Sequence, residues 1–125
     1  MTLIFDSGAL IGLDRGDRAM WTRLKAAQLS GQVPITHAGV VGQVWRSGPR
    51  QARLSQALVG VDVRPLDEPL ARKSGELLAA TRHSDVIDAA VALLATDGDD
   101  IVTSDLDDLR PLVAATERHV ELIRA

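Results

Sequence analysis

Apolar residues follow two rhythms along this chain. Short apolar runs alternate with longer stretches in which apolar positions recur every three or four residues. The first rhythm suits strands buried on both faces and the second suits amphipathic helices, so their alternation predicts βα units around a parallel sheet. Leu3-Ile4-Phe5 reads as the first strand, ending at Asp6-Ser7-Gly8, where Ser7 can cap a helix carrying Ala9, Leu10, Ile11 and Leu13. Gly16 and Asp17 break that helix. A second helix spans Arg18 to Leu29, and Gly31 stands where a C-cap favours positive φ. Val33-Pro34-Ile35 reads as the second strand, with Thr36 capping a helix that runs through Val40, Val41, Val44 and Trp45 to Arg46. Gly48-Pro49 stops this helix, and Pro49 can open the next one, which reaches Leu58. Val61-Asp62-Val63 is the third strand. Pro69 opens a helix through Leu70, Ser74, Leu77 and Leu78, and Asp85 to Thr96 forms another. Ile101-Val102-Thr103 is the fourth strand, Leu106 to Thr116 a helix, and Val120-Glu121-Leu122 a closing strand.

The expected class is therefore α/β, and 125 residues without internal repeats or low-complexity linkers fit a single domain over 1–125. The start lacks a positively charged flank, and no apolar run reaches the length of a membrane span, so a cytoplasmic protein with no membrane partner is expected. Lys plus Arg number 14 against 17 Asp plus Glu, a net charge of -3, which disfavours charge-driven nucleic-acid binding over the whole surface. The chain has no cysteine, so disulfide scaffolds and Cys-ligated metals are excluded and any metal must be held by oxygen or nitrogen. One Phe, two Trp and no Tyr leave little for stacking bases. There is no Gly-rich phosphate loop.

The candidate chemistry is acidic. Asp6 follows the first strand directly and Asp105 lies just past the fourth, so both project beyond the carboxyl edge of the sheet, where open parallel sheets bind ligands. If those strands are neighbours at the point where strand order reverses, the two carboxylates share a crevice. Asp85 and Asp88 are three apart and share one helix face. Asp88 interrupts an apolar stretch, Val86-Ile87 before it and Ala89 to Ala95 after it, where an unpaired charge costs several kcal/mol and calls for a cation. Capping could account for Asp85 well and for Asp105 in part, but it does not explain Asp88 within its helix. Converging carboxylates suit Mg²⁺ or Mn²⁺, ions that can activate a water and offset charge on a phosphodiester.

Three segments carry a resemblance in order and spacing: Ile4-Phe5-Asp6-Ser7-Gly8-Ala9-Leu10-Ile11, the helix Asp88 to Ala95, and Ile101-Val102-Thr103-Ser104-Asp105. Together they resemble the PIN-domain ribonucleases, most nearly the VapC-type toxins of bacterial type II toxin-antitoxin pairs. The resemblance implies a PIN-like three-layer α/β/α sandwich with a central parallel sheet of four or five strands. It also implies a Mg²⁺-dependent endoribonuclease (Mn²⁺ substituting), acting on RNA as a toxin held in check by a cognate antitoxin protein, usually as a homodimer. Asp6, Asp88 and Asp105 match the family's acidic, metal-holding and catalytic positions, while Asp85 and Asp108 could add an outer carboxylate or serve a second metal.

The chain departs from the family at position 43. The family usually carries a glutamate on the helix after the second strand, and here Gln43 stands there. A glutamine oxygen can ligate a metal or hydrogen-bond its water, but it carries no charge and is no base at neutral pH. The alternative that follows is a catalytically weak PIN-like protein that binds RNA or an antitoxin without efficient cleavage. Arg46, Arg50 and Arg53 cluster around Gly48-Pro49 and could contact RNA or an antitoxin, or form a solvated basic face. His37, His83 and His119 are scattered and read as surface residues, and Trp21 and Trp45 read as packing residues on apolar helix stripes, either in the core or, equally, at a dimer or antitoxin surface.

Overall fold

The computed structural model describes residues 1–125. In chain order the elements are β1 (Leu3–Phe5), α1 (Ser7–Asp14), α2 (Arg18–Leu29), β2 (Ile35–His37), α3 (Ala38–Val44), a 3₁₀ turn (Gly48–Arg50), α4 (Ala52–Val59) and β3 (Asp62–Arg64). They continue with α5 (Glu68–Thr81), α6 (Val86–Leu94), β4 (Asp100–Thr103), α7 (Leu106–Ala115) and β5 (Glu121–Arg124). The strands form one five-stranded sheet in the order β3-β2-β1-β4-β5, with every pair parallel. Right-handed crossovers moving outward from β1 in opposite directions put their helices on opposite faces. Accordingly α1 packs with α2, α3 and α4, while α5, α6 and α7 pack with one another. The result is the expected three-layer α/β/α sandwich.

Both faces of β1 and β4 are covered, which is why they read as apolar without alternation. Ile4, Phe5, Ile101 and Val102 are fully buried, together with Leu10, Leu13, Met20, Leu24 and Leu54 from one helical layer and Leu109 and Leu112 from the other. Strand order reverses between β1 and β4, which pair Leu3 with Asp100, Ile4 with Ile101 and Phe5 with Val102. Their carboxyl ends therefore open into one crevice. At their other ends Asp99 joins the segments that lead into β1 and β4: its carboxylate accepts from the Thr2 amide at 2.8 Å and from the Thr96 amide at 2.9 Å.

Several element boundaries differ from expectation. β2 starts at Ile35 rather than Val33, because Pro34 has no N–H to give and Val33 is left exposed. Thr36 is thus a strand residue and no helix cap, and its hydroxyl donates to the Phe5 carbonyl at 2.7 Å. Ser7 is likewise no cap, since the N-cap position of α1 belongs to Asp6. α3 ends at Val44, short of Arg46, because the buried Gln51 side chain captures the chain there. Its Oε1 accepts from the amides of Arg46 (2.7 Å) and Ser47 (3.0 Å), and its Nε2 donates to the Val44 carbonyl at 2.9 Å. Pro49 opens only the 3₁₀ turn, and α4 begins after Gln51. β3 and β5 lie one residue further along than their apolar runs suggest, since Asp62 and Glu121 take up the pairing with Ile35 and Asp100.

Candidate functional site

Helix N-termini are the natural home of aspartate in this chain, and five of them have one at the N-cap. Asp17 accepts from the Met20 amide, Asp67 from the Leu70 amide, and Asp85 from the amides of Ile87 and Asp88. Asp6 and Asp105 occupy the same position before α1 and α7 but make no side-chain capping bond. Capping thus accounts for Asp17, Asp67 and Asp85 and leaves Asp6 and Asp105 available, one at each exit of the paired strands β1 and β4.

Asp6 is the innermost of the group, 1% exposed. Its Oδ2 accepts the Thr103 hydroxyl at 2.7 Å, and Thr103 in turn accepts the Asp105 amide at 2.9 Å. One threonine at the end of β4 therefore fixes the Asp6 carboxylate and the backbone that carries Asp105. Oδ1 of Asp6 is buried and has no hydrogen-bond partner. Such an orphaned carboxylate oxygen is costly, and burial raises the Asp6 pKa, a shift opposed by the Thr103 hydroxyl and the neighbouring Ser7 amide and increased by Asp105 and Asp85.

Asp88 lies in the first turn of α6, half-buried. Burial pushes its pKa up to about 7, and Asp85, Asp6, Asp105 and Asp108 add to the rise. The charge of the group is thus felt at Asp6 and Asp88. None of the five is in a side-chain ion pair: Arg64–Asp62, Arg72–Glu68 and Arg110–Asp107 are exposed and include none of them. The cation that the sequence calls for beside Asp88 is not supplied by a side chain.

Oxygen is the only donor type in this group, which suits a hard divalent ion, and the unpartnered Asp6 Oδ1 is an atom such an ion would satisfy. As the side chains stand, no three acidic or histidine groups draw together into a ligand set. Mg²⁺ does not require one, because it keeps several waters and commonly takes only one or two carboxylates directly. The residues present fit this kind of ion.

The other candidate residues are placed differently. Asp85 is engaged as the cap of α6, and Asp108 lies exposed in the first turn of α7. Gln43 is exposed on α3. The guanidinium of Arg46 folds back onto the carbonyls of Trp45 (2.6 Å) and Gly42 (3.2 Å), and that of Arg53 lies over Gly16, where an added Cβ would stand 3.2 Å from its Cζ. Arg50 is exposed at the end of the 3₁₀ turn. Trp21 and Trp45 pack against the core, as expected.

The reading of the histidines as surface residues is corrected at one position. His37 is fully buried at the end of β2, because its ring folds over the N-terminus of α3 and is covered by α6. Nothing in the local sequence marks it apart from its place one residue before a helix. Gly8 was also not singled out by sequence: a Cβ there would collide with Ser104, 2.8 Å from its Cβ and 2.9 Å from its amide nitrogen. This close approach brings the first turn of α1 against the exit of β4.

The fold and this crevice define a PIN-like α/β domain. No protein-family model matches the chain, and no curated protein matches it. Among solved structures, the fold is similar to a chain in the crystal structure of VapBC2 from Rickettsia felis bound to a DNA fragment from their promoter. The two agree with a TM-score of 0.69 and 12% sequence identity over 98% of each chain, and the match is to the VapC PIN toxin of that complex. At that identity what is shared is the fold. No helix is long and apolar enough to cross a membrane.

Proposed function

We propose that this chain is a Mg²⁺-dependent endoribonuclease, with Mn²⁺ able to substitute, acting in the cytoplasm as the toxin of a type II toxin-antitoxin pair. The observation that carries the reading is the buried, unpartnered Asp6 Oδ1 in a group of carboxylates that raises the pKa of Asp6 and Asp88 and in which none is ion-paired to a side chain. A site built in this way is poised for a divalent ion. The reading is supported by the position of Asp6 and Asp105 at the exits of β1 and β4, the switch point of the sheet, where open parallel sheets bind ligands.

Asp6, Asp88 and Asp105 are the residues we assign to the ion. Bound there, Mg²⁺ would supply a Lewis acid for the phosphodiester and a water acidic enough to attack it. Thr103 holds Asp6 by Oδ2 and leaves Oδ1 without a partner. Asp88 can keep or release a proton near neutrality, so it is suited either to ligate once deprotonated or to exchange a proton with water. Asp85 presents the first turn of α6 by binding its amides, and Asp108 adds negative potential from the mouth. An antitoxin partner is supported by the VapB–VapC composition of the complex whose toxin shares this fold. The homodimer and the RNA substrate are carried over from the family resemblance, with exposed Arg46, Arg50 and Arg53 as candidate contacts.

The deciding experiment is incubation of the purified chain with a mixed set of structured RNAs in Mg²⁺, in Mn²⁺ and in chelator, beside Asp88→Asn prepared identically. Cleavage that needs metal and disappears in Asp88→Asn is expected. Cleavage that persists in chelator or in the variant overturns the reading.

One observation favours a second reading, a PIN-like protein that binds without cutting efficiently: Gln43, uncharged and exposed, stands where the family carries an acid. In that case Asp88→Asn and the native chain are equally inactive on RNA, and Gln43→Glu introduces measurable cleavage.

A further inference from the structure

His37 sits where two helical layers meet above the end of β2. It is the N-cap of α3, and its Nδ1 accepts the Gly39 amide at 3.0 Å. Its Nε2 lies 3.3 Å from the carbonyl oxygen of Ile87, in the first turn of α6, one residue before Asp88. Both contacts fix the tautomer by elimination. A backbone N–H can only donate and a carbonyl can only accept, so Nδ1 is bare and Nε2 carries the proton. The imidazole is therefore neutral and fully used, and its complete burial agrees with that.

Ser, Thr, Asp and Asn are the usual caps, and each could bond the Gly39 amide. None has a second polar atom on the far side of a rigid ring, so none could bond both the amide of α3 and the carbonyl of α6. Glycine at position 39 makes the arrangement possible. A Cβ there would lie 2.8 Å from Cε1 of His37 and 3.1 Å from Cγ1 of Ile87, inside the gap that the ring and α6 share. α3 and α6 belong to opposite layers, and this ring ties them together at the carboxyl edge of the sheet, beside the acidic crevice.

We propose that His37 is a positioning residue of the carboxylate site, its ring acting as a strut that sets the height of the first turn of α6, and with it Asp88, relative to Asp6. The functional consequence rests on the metal-site reading above, whereas the geometric claim stands separately. His37 touches neither substrate nor ion. It acts on the site through the Ile87 carbonyl, and the charge facing it from β1 is that of Asp6.

Two variants of the full chain test this. His37→Asn keeps an acceptor for the Gly39 amide and loses the reach to Ile87, while Gly39→Ala keeps the imidazole and forces it out of place. Calorimetric titration with Mn²⁺ alone should show affinity weakened about ten-fold in both, the usual scale for residues that orient a ligand. Leu24→Val in α2, a core change that lowers stability generally, should leave affinity unchanged. Native affinity in His37→Asn, or an equal loss in Leu24→Val, overturns the proposal.

If the wild-type chain takes up no Mn²⁺, the metal-site reading fails while the strut remains testable in two other ways. A long-range ¹H–¹⁵N correlation of the wild-type chain at neutral pH should show His37 neutral with its proton on Nε2, and the other tautomer or an imidazolium overturns the proposal. Crystal structures should show the first turn of α6 displaced from Asp6 by about 0.5 Å or more in His37→Asn, the tolerance within which functional sites are held. Superposition of that turn on the wild-type position overturns it.

Discussion

Thr103 donates its hydroxyl proton to Asp6 Oδ2 at 2.7 Å, joining the exits of β4 and β1 across 97 positions of sequence. The hydroxyl oxygen of Thr103 in turn accepts the amide of Asp105 at 2.9 Å, so this one side chain orders two of the three carboxylates proposed to hold the ion. The bond occupies one oxygen of Asp6 and leaves the other buried and unpartnered.

Thr103→Val keeps the shape of the side chain and removes its hydroxyl. It should cost about 1–3 kcal/mol of stability, since Asp6 loses the hydroxyl that holds its Oδ2 and the Asp105 amide loses its acceptor. It should also weaken Mg²⁺ binding, because a carboxylate free to rotate no longer presents Oδ1. Chemical denaturation and a metal titration of the variant check both, with Thr103→Ser expected to fall between valine and the native residue.

Asp88 should lower stability when ionised, in a direction fixed by its pKa. The unfolded carboxyl titrates near 3.8 and the folded one at about 7, so the folded state holds this proton more tightly. The contribution is fully present below pH 3.8 and is lost as pH rises toward and through 7. Asp99 works in the opposite sense: burial alone would raise its pKa, but the bonds from Thr96 and Thr2 lower it, so its contribution is lost only in strong acid. Metal-free Asp88→Asn should therefore be more stable than the native chain at pH 8 and equal to it near pH 4. After discounting for its half-exposed position, the gain should be about 1–2 kcal/mol. Thermal melts of both proteins across that pH range give the comparison.

Protons should compete with Mg²⁺ for the carboxylates proposed to hold it. Millimolar Mg²⁺ should raise the melting temperature of the native chain at pH 8 and much less at pH 5.5, while Asp88→Asn should respond weakly at both. An equal response at the two pH values would place the ion elsewhere.

Gly8→Ala should cost about 1–3 kcal/mol, because the new methyl group meets the side chain and backbone amide of Ser104 and α1 must shift away from β4. Ser104→Gly in the same chain should recover only part of the loss, since the amide nitrogen remains 2.9 Å from the added Cβ. Denaturation midpoints of the single and double variants measure the coupling.

Gln51→Ala should destabilise the chain by about 1–3 kcal/mol, because it leaves the buried carbonyl of Val44 and the part-buried amides of Arg46 and Ser47 without their side-chain partner. Hydrogen exchange at Arg46 and Ser47 should accelerate more than exchange in β1.

The α/β class of this protein is legible in its hydrophobic pattern alone. The alternation of two hydrophobic periods requires strands covered on both faces by helices, and that period is a local property of a few consecutive residues. The places of Asp6 and Asp105 were legible for the same reason: each follows an apolar run that can only be a buried strand. Asp88 was legible as a charge in an apolar stretch. The tertiary structure decided what each carboxylate does. Asp85 and Asp105 look alike in sequence at helix starts, yet one spends its oxygens on amides of α6 and the other does not. That Asp6 lacks a partner for Oδ1, that Thr103 holds it, and that His37 is buried between α3 and α6 all depend on strand order and on contacts between residues tens of positions apart. A residue's hydrogen-bonding capacity is fixed by its type, but the partners that use it are set by which strands lie side by side, and no local pattern carries that information.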